Sequence, residues 1–187
     1  MAYLDTNGCK LSQALTRATN CGYNLYEINK IYLANYADID DTSADTKVTI
    51  SASDSGHSEC EGVTKIGSGI TWYLIEPAKG SASFTDELVV EDNGNRYRTH
   101  TLNFNTLGKY TECARLALDD LALGKYVAII DTPNGKIMLG RTVGLEATTA
   151  TLAGGGDTNG MQIVLSGNVA ESALPVADDV TFTVVKS

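Results

Sequence analysis

The chain has 187 residues, 43% of them apolar and 20% charged, which fits one globular domain with a sizeable core and excludes a wholly disordered protein. A formal charge of -9, from 23 acids against 14 bases, excludes the broad basic face with which DNA-binding proteins neutralise phosphates. No run approaches the ~18 consecutive apolar residues of a membrane-crossing helix, and no basic segment leads into an apolar one at the start, so a soluble chain without a secretory signal is expected.

In residues 1–22 the run LSQALTRA places Leu11, Ala14, Leu15 and Ala18 at helical spacing, which predicts a short helix or an ordered arm. Residues 23–187 form a single β domain in this reading. It opens with a strand in NLYEINKIYLANY, followed by an acidic, solvated loop carrying Asp38, Asp40, Asp41 and Asp45. KVTISAS alternates as a short strand before a polar loop around DSGHSECEG. GITWYLIEP reads as a strand buried on both faces and ended by Pro77. In SFTDELVVED, Phe84, Leu88 and Val90 recur at period two; Asp92 to Asn95 supply turn chemistry, and RYRTHTLNFN alternates again. The Asn93-Gly94 pair reaches positive φ at little cost, so a long hairpin projecting beyond the domain is predicted.

Next comes TLGKYTECARLALDDLALG, with Tyr110, Cys113, Ala114, Ala117 and Leu121 on one helical face, Thr106 as N-cap and Gly124 as the stop. Leu116, Leu118 and Leu123 widen the apolar surface, so the helix must pack deeply or be covered by a neighbour. Strands then follow in KYVAIID, KIMLG, VGLEATT, MQIVLSGN and DVTFTVV, with a Pro133 to Gly135 turn. The sum is roughly seven to nine strands around one main helix.

Signatures of catalysis are missing. His57 and His100 are framed by no GxSxG, HExxH or Cys-His pattern. His57 and Cys60 with Glu59 and Glu61 lack the paired spacing of a zinc site, and the acids at 38–45 lack EF-hand spacing. Gly154 to Gly156 precede a strand and no Gly-Lys-Ser/Thr follows, so they read as a turn rather than a phosphate loop. The cysteines Cys9, Cys21, Cys60 and Cys113 form no CxxC pair and are expected as free thiols, with a Cys9–Cys21 bridge as the alternative. No enzyme, metal or cofactor is expected.

The order SFTDELVVEDNGNRYRTHTLNF, KYTECARLALDDLAL, YVAIIDTPNGKIMLGR and VGLEATTATLAGGGDTNGMQIVLSG resembles tail tube-like structural proteins of Bacteroidota phages, including crAss-like phages. The resemblance covers residues 23–170, and DTNGMQIVLSG is its most typical stretch. It implies an antiparallel β-sandwich or half-barrel flanked by a helix, and hexameric rings whose hairpins join into a continuous inner barrel around passing DNA, without sequence-specific binding. On that basis the hairpin residues Phe84, Asp86, Leu88, Val90, Arg96, Arg98 and His100 are expected at the interface between copies. Glu87, Glu91, Asp92, Asp38, Asp40 and Asp41 are the candidate lumen or inter-ring acids. Arg96, Arg98 and His100 depart from an acidic channel wall, and which hairpin face looks inward stays open at this point. Partners would be further copies of the chain and adjacent tail, neck or portal-proximal proteins of the virion, after synthesis in the host cytoplasm. The alternative is an immunoglobulin-like head-decoration or receptor-binding module.

Overall fold

The computed structural model describes residues 27–39, 48–50, 62–106, 112–154 and 160–185, the side chains of 112–115 excepted. The expected N-terminal arm, Asp40, Asp41 and Asp45, the His57–Glu61 group, Cys9, Cys21 and the glycines at 155 and 156 lie outside these residues.

The chain is mainly β, built on one mixed open sheet. The strands are β1 (Lys30–Asn35), β2 (Val48–Ile50), β3 (Val63–Ile66), β4 (Thr71–Ile75), β5 (Ser83–Val90), β6 (Arg96–Thr106), β7 (Lys125–Thr132), β8 (Gly135–Leu139), β9 (Leu145–Ala153), β10 (Gly160–Val169), β11 (Leu174–Val176) and β12 (Thr183–Val185). Two helices accompany them, α1 (Tyr36–Ile39) and α2 (Glu112–Leu123). The main path runs β2-β3-β11-β8-β7-β9-β10-β6-β5, and β1, β4 and β12 branch from β7. The branch exists because β7 holds β1 along one edge and shares its other edge between β9, at Lys125 and Tyr126, and β8, from Ala128 onward.

β1 and β7 form a wall buried on both faces. Their side chains alternate, so Ala34, Val127 and Ile129 join one core with Trp72, Met138 and Val176, whereas Ile31, Leu33, Ala128 and Ile130 join a second with Leu102, Phe104 and Leu165. That explains why IYLAN and YVAII read as continuous apolar runs. In β4 only Trp72 is deeply buried while Tyr73 is half exposed, which corrects the expectation of a strand buried on both faces.

Three other expectations change. Asp38 lies in α1 rather than in a loop. Thr106 is the last residue of β6 and therefore not a helix cap. Gly124 does stop α2, its N–H bonding the Asp120 carbonyl at 2.9 Å, but it is not among the glycines of positive φ. A Cβ there would fall 2.0 Å from the Tyr126 hydroxyl, so any side chain at this position must displace the Tyr126 ring. Leu118 and Leu121 of α2 rest on the second core and Ala117 is exposed, so the inward stripe is turned from the one the sequence pattern suggests.

Candidate functional site: a polar sheet face, an open edge and a hairpin tip

The strands β9-β10-β6-β5 carry the hairpin and have two unlike faces. Register fixes which residues share a face. Phe84↔Leu102, Asp86↔His100, Leu88↔Arg98 and Val90↔Arg96 stand opposite one another across β5 and β6, on the same side as Leu165 and Ile163 of β10. This is the core side. The other side presents Ser83, Thr85, Glu87 and Val89 on β5, Tyr97, Thr99, Thr101, Asn103 and Asn105 on β6, and Gln162, Val164, Ser166 and Asn168 on β10, with Glu146, Thr149 and Thr151 on β9. These residues are half-buried or exposed. Some of these side chains are tied across β6 and β10: Thr99 donates to Asn168 Oδ1 at 3.0 Å, and Ser166 Oγ donates to the His100 backbone carbonyl at 3.2 Å. Because the Ser166 proton is used in that way, the 3.2 Å contact between Thr101 and Ser166 hydroxyls is donated by Thr101.

No Lys or Arg of the four strands lies on this polar face. The nearest cation, Lys125 at the start of β7, pairs with Glu146 at 2.8 Å. Arg96, Arg98 and His100 all lie on the core side of the hairpin.

The hairpin turn is a three-residue one. Glu91 N–H bonds the Asn95 carbonyl and Gly94 N–H the Glu91 carbonyl, both at 2.9 Å, with Gly94 at positive φ (85°). Asn93 Oδ1 accepts from Asn95 N–H at 2.8 Å, an Asx-type lock on the turn. The projection is shorter than expected, because β6 pairs with β10 from Arg98 to Thr106 and only the segment around the turn extends past that partner. β5 ends the sheet, with no strand beyond it among the described residues.

Along its core side the hairpin passes through three environments. Phe84 packs on the second core. Asp86 is 15% exposed and receives Arg98 Nε at 2.5 Å and the Ala173 N–H at 2.9 Å. Leu88 and Val90, beyond the core, are 55% and 56% exposed. His100, 1% exposed, is enclosed in the single chain, so it is a tether within the subunit and not the contact residue expected from the sequence. Its Nδ1 accepts the Gly140 N–H at 3.1 Å, which requires a neutral ring with the proton on Nε2. The Nε2 to Asp86 Oδ1 separation of 3.4 Å is too poorly disposed for a hydrogen bond and acts as an electrostatic contact. Beside it Arg141 grips Glu171 in a bidentate pair at 3.0 and 2.5 Å.

Burial pushes the His100 pKa below its ordinary 6.5, outweighing the opposite pull of Asp86 and Glu171. Burial also acts to raise Asp86, but its bonds from Arg98 and Ala173 and the charge of its neighbours win, and it lies below 3.8. The unfolded chain thus protonates first at both groups. The contribution of His100 is complete above about pH 6.5 and is lost as pH falls through the range below it; that of Asp86 is lost only below about pH 3.8. Urea midpoints should therefore fall between about pH 7 and pH 5, and His100→Gln should flatten that slope. An undiminished slope in the variant would place the acid sensitivity elsewhere.

Of the remaining expected site residues, Glu87 lies exposed on the polar face, and Glu91 and Asp92 sit in the turn. Asp38 is remote in sequence from this sheet, on α1, whose contacts are with β1 and β7. Pattern reading missed the Ser/Thr/Asn/Gln face, although the alternation in RYRTHTLNFNT carries it. No group of three or more potential metal ligands occurs among the described residues, and none of their helices is long and apolar enough to cross a membrane.

Comparison of the chain with protein-family models, curated proteins and solved structures gives no match.

Proposed function

We propose that the chain is a virion structural protein, a self-assembling ring subunit of a phage tail or neck that forms a conduit for DNA. The carrying observation is a polar sheet face whose four strands place no Lys or Arg on it, beside an open edge at β5. A conduit wall must not hold a polyanion. Phosphates are bound chiefly by Lys and Arg, and the four strands place neither on this face, which carries hydroxyl and amide groups with Glu87 and the Lys125-paired Glu146 as acids. In this reading the polar face of β9-β10-β6-β5 looks into the lumen, the remaining strands form the outer layer of a sandwich-like subunit, and Glu91 and Asp92 lie toward the next ring.

The open edge supports self-assembly on separate grounds. Among the described residues β5 pairs only with β6, and the N–H and C=O groups on its outer edge are a template for another chain. Closure of copies around an axis removes that edge.

The test is the mass of the full chain under native conditions, with electron microscopy. A hexameric ring is expected. Thr85→Lys, which puts a charge on the exposed edge strand, and removal of residues 91–95 should each shift the population to monomer. A wild-type chain that stays monomeric at high concentration defeats the ring reading, and unchanged assembly in both variants defeats the part given to the hairpin.

A further inference from the structure

The hairpin tip and helix α2 stand at opposite flanks of the same four strands. β5 ends the sheet on one side, and α2 packs beside β9 on the other. The tip carries Leu88 and Val90, more than half exposed, on one face with the exposed Arg96. Next to α2 lies an apolar groove of about 640 Å³ lined by Leu33, Tyr73, Ile75, Leu121 and Leu123, with Asp120 at its margin. Tyr73 is 48% and Leu123 89% exposed. Among the described residues neither Arg96 nor Asp120 forms an ion pair.

From this complementarity we infer that the groove beside α2 receives the hairpin tip of a second copy of the chain, Leu88 and Val90 entering the groove and Arg96 facing Asp120. The inference rests on the ring reading and names the surfaces that meet in it. Side and sign both agree. Leu88 and Val90 project from the core side of the sheet, the side on which Leu118 and Leu121 of α2 also pack. A rotation that turns every polar face toward one axis keeps the tip of one copy and the α2 of the next on the same outward side. The two surfaces differ, so the contact is head-to-tail and can propagate around a ring. Two exposed apolar patches are covered in one step, and the cation–anion pair sets the register.

Charge reversal in the full-length chain tests this. Arg96→Glu and Asp120→Arg are surface changes, and each should leave the thermal unfolding curve in place while weakening self-association roughly tenfold or more, by replacing attraction with repulsion. An equimolar mixture of the two variants should regain assembly, because every contact in an alternating ring then joins opposite charges. Sedimentation velocity reads all of these states. If the wild-type chain forms no oligomer, the ring reading fails and this contact with it. If the wild type assembles but neither reversal weakens it, or the mixture does not recover, the tip-to-groove contact is overturned while the ring reading stands. Weakening by Asp120→Arg alone would assign the groove to another occupant, such as the segment 1–22, and overturn it equally.

Discussion

Phe104→Ala should lower stability by about 3–5 kcal/mol, with a fall in Tm of roughly 10 °C. Phe104 is fully buried, stands opposite Ile163 on β10, and belongs to the second core with Leu102, Leu165 and Ile31. Its removal leaves a cavity beneath the polar sheet face, between that sheet and the β1–β7 wall. Close packing lets such a void collapse only partly, so the loss exceeds the transfer energy of the ring. Chemical denaturation with an unchanged m-value would confirm a loss of packing. A change below about 1 kcal/mol would mean that the two layers are not packed on each other as described.

Gly167→Ala is expected to be nearly as damaging, at about 2–3 kcal/mol. Gly167 has no unusual φ, and the constraint is contact: a Cβ there would lie 2.3 Å from the Gly144 carbonyl oxygen. Backbone, not a flexible side-chain end, stands in the way. Gly144 is itself fixed, its N–H bonding the Gly140 carbonyl at 2.7 Å, and Gly140 N–H holds the His100 ring. The methyl group must therefore push the β8–β9 turn away from β10 and strain the His100 tether. Loss of protection at the Gly140 amide in hydrogen exchange, along with the fall in stability, is the measurement that separates this from a general loosening.

Legibility in the sequence follows from how local each interaction is. The hairpin is readable because period-two alternation and Asp92-Asn93-Gly94 are short-range signals, and β5 and β6 begin and end close to where that alternation does. α2 is readable in extent but not in orientation: its apolar residues cover so much of its circumference that only the position of the second core selects Leu118 and Leu121. β3 and β11 have four and three residues, too few for a periodic pattern, and gain their place by pairing with each other and with β8. The polar face was present in the alternation of β6 yet gained meaning only when β10 and β5 supplied Gln162, Ser166, Thr85 and Glu87 on the same side. The Asp86–Arg98–His100 group was half visible. Cross-strand neighbours on a hairpin can be counted from its turn, whereas the Gly140 and Ala173 amides that complete the group arrive from distant sequence.

The doubly buried wall of β1 and β7 also has a consequence for the order of events during synthesis. Both cores use residues of β7, so neither is complete until the ribosome has passed Thr132. The β5–β6 hairpin is made earlier and must wait without a floor, its edge open and its apolar residues uncovered. Long-range closure of this kind is slow compared with helix formation. Asp86 and Glu87 place charge in the middle of that waiting strand, where it interrupts the apolar run SFTDELVV and discourages premature pairing between nascent chains.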